Sequence, residues 1–425
     1  MIYHTLPNGL KAVIIPRTSV PIVSIAVSYG VGSYSELPTK TGFAHLFEHL
    51  MFEGSANLAH GMFDRLCSQA GGENNAYTTF DKTTYYMSLP AHRLELGLWL
   101  EADRMATCCI DTEALNIQKH VVLEEIKQNV ENTPYGTYSR VLSATAFAPD
   151  SGYSWEVYGH PEHIAASTLD DVQYFFMTFY RPDNACLVVC GNVDQERTLS
   201  LVEQYFGAIP RGDSSLPRKP FDPAHRLGNR YACIQDTIPT DSLFCSYHCE
   251  GYTSPGIHIA EVLCSILSDG ISSRLYKAMA YYERYASEVH AYVDDRRYTS
   301  LLTIYAISSG NAYSCDALYT SMWAVLDEVR ERGVSAQELQ KAKNRIRTRI
   351  ARVLQRTAGI ADEAAHYALL FDDPARVFCL ADYYTSITAE HVQEYACKLF
   401  RRDNEVRIDF VPKPSVGPKH HSIAA

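Results

Sequence analysis

The stretch His45-Leu46-Phe47-Glu48-His49 contains two histidines four residues apart, with a carboxylate directly before the second. In a helix, positions i and i+4 lie on one face, so both imidazoles can reach a single metal ion and the carboxylate lies beside them. The alternative is a helix with two ordinary histidines. The apolar residues of the segment fall on the opposite face, which predicts a helix with one side in a core and one in a cleft. These apolar residues are Phe43, Leu46, Phe47, Leu50 and Met51.

The composition of the 425-residue chain is that of a globular protein, with 46% hydrophobic and 20% charged residues. This length predicts two or three domains. The net charge of −11 argues against nucleic acid as the main partner. Because no run approaches ~18–20 apolar residues, we predict no membrane span. The N-terminus runs at once into a strand and turn rather than a leader, which predicts a cytoplasmic protein, although a chain trimmed of its leader would look the same.

Twelve cysteines are scattered along the chain without the spacing of a disulfide framework. Such usage is typical of a reducing compartment. Cys245 and Cys249 flank His248, and one interpretation is a second metal site. The alternation of residue types over 243–247 indicates a strand instead, so we favour a structural role for this segment.

An internal repeat organises the chain. Thr168–Gln173 recurs as Thr388–Gln393, and Phe179–Asn184 recurs as Leu399–Asn404, always with an offset of 220 residues. Six of seventeen positions are identical between 168–184 and 388–404. Each copy is predicted to form a threonine-capped helix, a polar turn and a strand. The repeat therefore predicts two similar halves.

The two halves define a domain prediction. A segment with several prolines, charges and serines lies between them and is typical of a linker. We predict a first, metal-binding domain over 1–212, a linker over 213–226 and a homologous second domain without a metal site over 227–425. Strands and helices are mixed in each half, which indicates an α+β class. Helices are predicted over 90–105, 111–132, 335–355 and 388–400.

A zinc site requires a third protein ligand, and the pair Glu124–Glu125 offers two candidates. Helical phase favours Glu125, because Glu125 lies at the flank of the apolar stripe whereas Glu124 points away from it. A ligand brought against the first helix should lie near the packed face. The stripe consists of Leu115, Val122, Ile126 and Val130.

The H-x-x-E-H motif, followed by 75 intervening residues and Glu125, resembles the inverted-zincin metallopeptidases of the pitrilysin, insulinase and mitochondrial processing peptidase family. Further similar segments make the resemblance nearly chain-long, and they lie at 42–55, 71–85, 99–105, 121–126 and 272–276. The resemblance implies a zinc-bearing subunit made of two homologous domains. Each domain would be a mostly antiparallel sheet packed with helices.

The resemblance also implies a mechanism. One Zn²⁺ per chain would be held by His45, His49 and Glu125, and would lower the pKa of a bound water toward ~7. Glu48 would take the proton of that water and pass it to the leaving amine. The expected activity is that of a zinc endopeptidase acting on peptides or extended polypeptides.

Asn75 and Ala76 lie where family members present an edge strand to substrate. Backbone pairing at such an edge gives affinity with little side-chain selectivity. The alternative for Asn75, weighed equally, is a turn residue in a glycine-rich loop.

Two positions depart from the family pattern. Gln118 occupies a position where many members carry a glutamate near the zinc histidines. An amide can still hydrogen-bond an imidazole but adds no charge, so we expect weaker zinc binding or an altered pH dependence. Active members also use an arginine and a tyrosine seven residues apart in the second domain or a partner chain. Here Ala280 and Ser287 occupy those positions, with Arg284 and Tyr285 nearby at the wrong spacing.

The missing Arg/Tyr pair predicts a partner. We expect a heterodimer with a homologous subunit that supplies the pair, with a homodimer as the alternative. Two other functions remain as alternatives, a non-catalytic scaffold or assembly subunit and a zinc-stabilised binding module. The presence of both histidines, Glu48 and Glu125 argues against a scaffold, and the free Glu48 argues against a purely structural zinc site.

Overall fold

A computed structural model describes residues 1–212, 215–217, 219–310 and 313–414. Three positions of the predicted linker, 213, 214 and 218, and the last residues of the predicted second domain, 415–425, lie outside the described residues. Within the described residues, the strands form one six-stranded and one five-stranded sheet.

The first sheet has the strand order β1-β2-β6-β3-β5-β4. Only the β2–β6 pair is parallel, and every other pair is antiparallel. The strand β4 pairs only with β5 and is therefore an edge. The six strands are β1 (Ile2–Thr5), β2 (Lys11–Pro16), β3 (Ile22–Tyr29), β4 (Glu73–Thr78), β5 (Thr83–Pro90) and β6 (Ala185–Gly191).

The second sheet has the order β7-β11-β8-β10-β9, again with one parallel pair, β7–β11. Its strands are β7 (Arg230–Asp236), β8 (Ser242–Glu250), β9 (Ala286–Asp294), β10 (Thr299–Ser308) and β11 (Glu405–Pro412). Strand for strand, the second sheet repeats the order β2-β6-β3-β5-β4 of the first sheet. The predicted α+β fold with two related, mostly antiparallel sheets is confirmed.

The helices lie between the strands along the chain, singly or in groups of up to five. They are α1 (Phe43–Leu50), α2 (Met62–Gln69), α3 (Leu94–Ala106), α4 (Thr112–Ile126), α5 (Tyr138–Ala146), α6 (Pro161–Ala165), α7 (Leu169–Phe179), α8 (Gln195–Phe206), α9 (Gly256–Ser268), α10 (Cys315–Arg332), α11 (Ala336–Leu354), α12 (Thr357–Phe371), α13 (Leu380–Tyr383) and α14 (Ala389–Leu399). In both copies of the repeat, threonine caps the helix: the Thr168 and Thr388 hydroxyls accept the backbone N–H three residues on.

The predicted helices over 90–105 and 111–132 are confirmed with a difference at one end of each. The first begins with a 3₁₀ turn at Ala91–Arg93 before α3. The second ends as an α-helix at Ile126 and continues as a π-helical turn at Lys127–Glu131. Hydrophobic periodicity cannot separate these turns from α-helix, because it reads the side-chain pattern and not the hydrogen-bond register.

The two halves exchange helices. On one face the first sheet contacts helices of its own half, and on the other it contacts α12 from the second half. Alanines of α12 allow a close approach to β2, β3 and β6. In return, α5 from the first half packs against β7 and β11. These helices begin 219 residues apart, at Tyr138 and Thr357, so the exchange follows the repeat. The domain boundaries at 212 and 227 stay a prediction.

Candidate metal centre and active site

The helix α1 is fixed at its N-terminus by a buried carboxylate. Glu36 accepts hydrogen bonds from the backbone N–H groups of Gly42 at 2.9 Å and Ala44 at 2.7 Å, and from Trp155 Nε1 at 3.0 Å. The two backbone donors lie at the start of α1, where N–H groups have no partner within the helix. Glu36 thus replaces the usual capping side chain, since Gly42 itself offers none. As predicted, the apolar face of α1 is buried in the first core.

Three predicted ligands converge beside α1. His49 Nε2 lies 3.2 Å and His45 Nε2 lies 3.8 Å from Glu125 Oε2. The three ligand atoms all lie within 4.8 Å of one another. Atoms about 2.1 Å from a tetrahedral zinc ion lie roughly 3.4 Å apart, so these separations fit one shared ion. Among the described residues this is the one group of three or more such side chains close enough to hold a metal.

The structure separates Glu125 from its neighbour Glu124. Glu125 turns toward α1, and its other oxygen, Oε1, accepts a hydrogen bond from the Tyr158 hydroxyl at 2.9 Å. Asn129 Nδ2 lies 3.4 Å from the same oxygen. Glu124 points to solvent and pairs with Lys127 at 2.5 Å. Helical phase therefore selected the glutamate that reaches the histidines. Sequence reasoning missed Tyr158 and Asn129, because neither belongs to the H-x-x-E-H pattern.

The electrostatics of the group favour metal-binding protonation states. Burial lowers the pKa of His45 to about 4, so its imidazole is neutral at pH 7. The hydrogen bond from His49 is the main cause that lowers the pKa of Glu125 to about 2, so this carboxylate is ionised. A neutral imidazole and an ionised carboxylate are the forms that bind a cation.

Glu48 is not one of these three side chains, and it lies beside His49 in a cleft of about 530 Å³. Glu48 and His49 line the cleft from α1, and Asn74 and Asn75 line it from β4. Burial raises the pKa of Glu48, and a hydrogen bond opposes that shift: the Thr78 hydroxyl donates to Glu48 Oε2 at 2.6 Å. A partly buried carboxylate with one oriented oxygen is suited to accept a proton in this cleft.

Comparisons with known proteins agree with this arrangement. The family model for insulinase (peptidase family M16) matches residues 12–151, and that for the peptidase M16 inactive domain matches residues 166–346. An uncharacterised zinc protease of Mycobacterium leprae is 30% identical over 357 residues, which cover 81% of this chain and 76% of the relative. The chain belongs to the M16 peptidase family.

A further relative and a solved structure extend the similarity. The zinc protease PqqE of Helicobacter pylori is 26% identical over 371 residues, which cover 87% of this chain and 83% of that protein. A crystal structure of a protease from Helicobacter pylori superimposes with a TM-score of 0.91 at 24% identity, covering 97% of this chain and 99% of that one. The two proteins therefore share their fold over almost the whole of this chain.

Within the M16 fold, Asn75 and Ala76 lie on the edge strand β4, opposite Tyr86 and Tyr85 of β5. The exposed Asn75 side chain accepts the Ala76 N–H through Oδ1 at 2.8 Å. Asn75 is therefore a strand residue, and the alternative that it is a turn residue is wrong. Its binding role stays a prediction.

Gln118 lies on α4 and donates a hydrogen bond from Nε2 to Glu53 Oε1. Glu53 is buried and also pairs with His60. A glutamate at position 118 would place two carboxylates in contact, which explains the amide in physical terms. His45 Nδ1 is buried without a hydrogen-bond partner among the described residues, so Gln118 does not hold this imidazole here.

The positions expected to carry the Arg/Tyr pair lie in the second half. Ala280 belongs to a π-helical turn at Tyr276–Tyr282, and the Ser287 hydroxyl on β9 donates to the carbonyl of Ile307 at 3.2 Å. Tyr285 packs on the ring of Tyr313 with centroids 4.8 Å apart.

The segment around His248 lies in β8, as the alternation indicated. Its neighbours Cys245 and Cys249 are buried core residues, and all twelve cysteines are unpaired. In the described part of the chain no helix is long and apolar enough to cross a membrane.

Proposed function

We propose that this chain is a zinc metalloendopeptidase that hydrolyses peptide bonds in peptides or extended polypeptides. One observation carries the proposal: His45, His49 and Glu125 direct three ligand atoms to one point, while Glu48 lies beside them in an open cleft. A structural zinc site is normally closed by four protein ligands, whereas three ligands leave a position for the reaction.

The donor set of two imidazole nitrogens and one carboxylate oxygen fits one zinc ion per chain. When bound, zinc supplies Lewis-acid polarisation of the scissile carbonyl and acidifies water. His45 and His49 are fixed by α1, whose N-terminus is tied to Glu36. Glu125 reaches them from α4 and brings the negative charge.

Glu48 provides the acid–base function in this mechanism. Its carboxylate accepts a proton from the attacking water and then donates that proton to the nitrogen of the departing amine. Burial raises its pKa and makes the carboxylate a stronger base, while Thr78 holds Oε2 and orients the side chain.

Substrate binding is proposed at the free edge of β4. An extended peptide can pair with the backbone there, next to Glu48, because Thr78 of the same strand touches that carboxylate. In this arrangement Asn75 and Ala76 contact the substrate backbone, and a substrate carbonyl would replace Asn75 Oδ1 at the Ala76 N–H. Selectivity would then come mainly from the cleft rather than from the strand.

A partner subunit completes the site in this proposal. Ala280 and Ser287 cannot act as the Arg/Tyr pair of active members, and loss of an oxyanion donor typically costs about 10²–10³ in rate. We infer a heterodimer with a homologous subunit, with a homodimer as the alternative. A cytoplasmic location stays a prediction.

The test combines metal analysis with peptide cleavage. The purified protein should contain one zinc per chain, lose it in His49→Ala, and cleave a quenched fluorescent peptide faster once the co-purifying subunit is added. Zinc without cleavage in the native complex would favour the zinc-stabilised binding module. A protein with neither would favour the scaffold. Full activity of the isolated chain would contradict the need for a partner.

A further inference from the structure

We propose that Tyr158 and Asn129 are positioning residues that make Glu125 bind the metal through Oε2 alone. The inference rests on the proposed zinc site and deepens it. It concerns how the site is built before any ion binds.

The two oxygens of Glu125 have different surroundings. Oε1 accepts the Tyr158 hydroxyl at 2.9 Å and lies 3.4 Å from Asn129 Nδ2. Oε2 faces His49 Nε2 at 3.2 Å and His45 Nε2 at 3.8 Å. Since donors engage one oxygen and the histidines face the other, the carboxylate plane is already set for a single-oxygen contact.

Tyr158 contacts two of the three ligands at once. Its hydroxyl holds Glu125, and its ring packs edge-on against the ring of His45 with centroids 4.8 Å apart. Asn129 Nδ2 also donates to the Tyr158 hydroxyl at 3.2 Å, so Tyr158, Asn129 and Glu125 form a closed triangle. Removing the Tyr158 side chain would therefore leave both the Glu125 carboxylate and the His45 imidazole less firmly held.

The backbone around Tyr158 explains why the ring lies there. Gly159 and Gly42 both have positive φ, 67° and 82°, and approach each other closely. A Cβ on Gly159 would lie 2.2 Å from the Gly42 nitrogen, and a Cβ on Gly42 would lie 2.3 Å from the Tyr158 carbonyl oxygen. Only glycine at both positions lets this loop rest on the start of α1, beside His45.

Asn129 comes from the π-helical turn that follows α4, one turn beyond Glu125. π-helical turns inside helices occur frequently at functional sites. Hydrogen bonds to a metal-binding side chain typically change metal affinity by about 10–100-fold. Both side chains would act in this way, without touching the ion.

The experiment measures zinc affinity by competition with a chromophoric chelator, using the full-length native protein. We expect Tyr158→Phe to weaken zinc binding about 10–100-fold. Asn129→Ala should weaken it less, and the double variant should lose less than the two single losses combined, because the two residues share one carboxylate. Tyr205→Phe is the matched control, since the Tyr205 hydroxyl donates to the remote Glu95 at 2.8 Å.

Cobalt substitution provides a readout that a general loss of stability would not change. If Tyr158→Phe frees Oε1 to bind, the visible absorption of the Co²⁺ protein should weaken, as it does when coordination rises from four toward five. Circular dichroism of the metal-free variant checks folding. Should Tyr158→Phe fail to fold, Asn129→Ala gives the same two readouts from an exposed side chain.

Unchanged zinc affinity and an unchanged cobalt spectrum in both variants would overturn the inference. So would a loss of cleavage with unchanged metal binding, because Tyr158 would then act on the substrate. A wild-type protein that binds zinc but cleaves no peptide would contradict the proposed activity while leaving the affinity comparison valid. A protein that binds no zinc would overturn both.

Discussion

At the scale of single residues, the site depends on how each polar group is held. Glu48 is oriented by Thr78, Glu125 by Tyr158, and both carboxylates are partly buried. Their pKa values move in opposite directions because their partners differ. Burial dominates for Glu48 and raises its pKa, whereas the hydrogen bond from His49 dominates for Glu125 and lowers it. These opposite shifts suit the different tasks that the proposed function gives the two carboxylates, Glu48 as a base and Glu125 as a ligand.

Thr78→Val tests the orientation of the base. The variant removes the hydroxyl that donates to Glu48 Oε2 and nearly conserves volume. We expect kcat to fall roughly tenfold, because a hydrogen bond to a charged group contributes about 1.5 kcal/mol. Zinc affinity should stay the same, since Thr78 touches no ligand. Peptide cleavage and zinc titration are the measurements.

Thr78→Ser is the control and should retain most of the activity, because it keeps the hydroxyl. Wild-type turnover in Thr78→Val would show that Thr78 does not orient the base.

At the scale of elements, the N-terminus of α1 depends on Glu36 rather than on a local cap. Glu36→Ala leaves the backbone N–H groups of Gly42 and Ala44 without their acceptor, while Trp155 Nε1 keeps its hydrogen bond to the Ser33 carbonyl at 3.1 Å. We expect the free energy of unfolding to fall by roughly 2–4 kcal/mol, as buried donors without partners cost about 1–3 kcal/mol each. Urea denaturation measures the change.

The exposed Glu394→Ala serves as the control for Glu36 and should change stability by less than about 0.5 kcal/mol. Equal stability of the Glu36 and Glu394 variants would contradict the capping role. Loss of the cap should also lower zinc affinity, because α1 carries both histidines.

Arg274 links the segment before the π-helical turn of the second half to the start of α11. Its guanidinium donates to both oxygens of Glu338, at 2.8 and 3.0 Å, and to the Gly333 carbonyl. The hydrogen bond from Arg274 lowers the pKa of Glu338 from 4.5 to about 2. The folded protein therefore binds fewer protons than the unfolded one between these values.

The sign of this shift gives a pH prediction. The stability from Glu338 is fully present above pH 4.5 and is lost as the pH falls toward about 2. In Arg274→Gln the free energy of unfolding should fall less on acidification than in the wild type. Urea denaturation at about pH 7 and about pH 3 measures the difference. Arg330→Gln, which removes a partly exposed pair with Asp327, should keep the wild-type slope. A wild-type slope in Arg274→Gln as well would contradict the assignment.

At the scale of the whole molecule, the sequence predicted what is periodic or repeated. The faces of α1, the choice of Glu125 over Glu124 and the two related halves all follow from spacing. The exchange of α5 and α12, the Glu36 cap and the Tyr158 contact were not predicted. The helix exchange and the Tyr158 contact depend on residues far apart in the chain that only the folded backbone brings together. The Glu36 cap spans only six to eight residues but belongs to no periodic pattern, so the sequence does not indicate it either.

The helix exchange predicts how the molecule unfolds. Because α12 covers the first sheet and α5 packs on the second, neither half has a complete core alone. We expect one cooperative transition in scanning calorimetry rather than two. The isolated fragment 1–212 should expose the sheet face that α12 covers and bind a hydrophobic dye. Two separate transitions, or a stable fragment that binds no dye, would contradict this account.

The central claim is that Glu48 is the base of a zinc peptidase, and Glu48→Gln tests it most directly. The substitution keeps the size of the side chain and leaves His45, His49 and Glu125 in place. The measurement is zinc content and cleavage of a quenched peptide by the native complex, with the exposed Glu124→Gln as the matched control. The account predicts full zinc content with cleavage reduced by at least about 10² in Glu48→Gln, and normal cleavage in the control. Near-wild-type turnover by Glu48→Gln would contradict it.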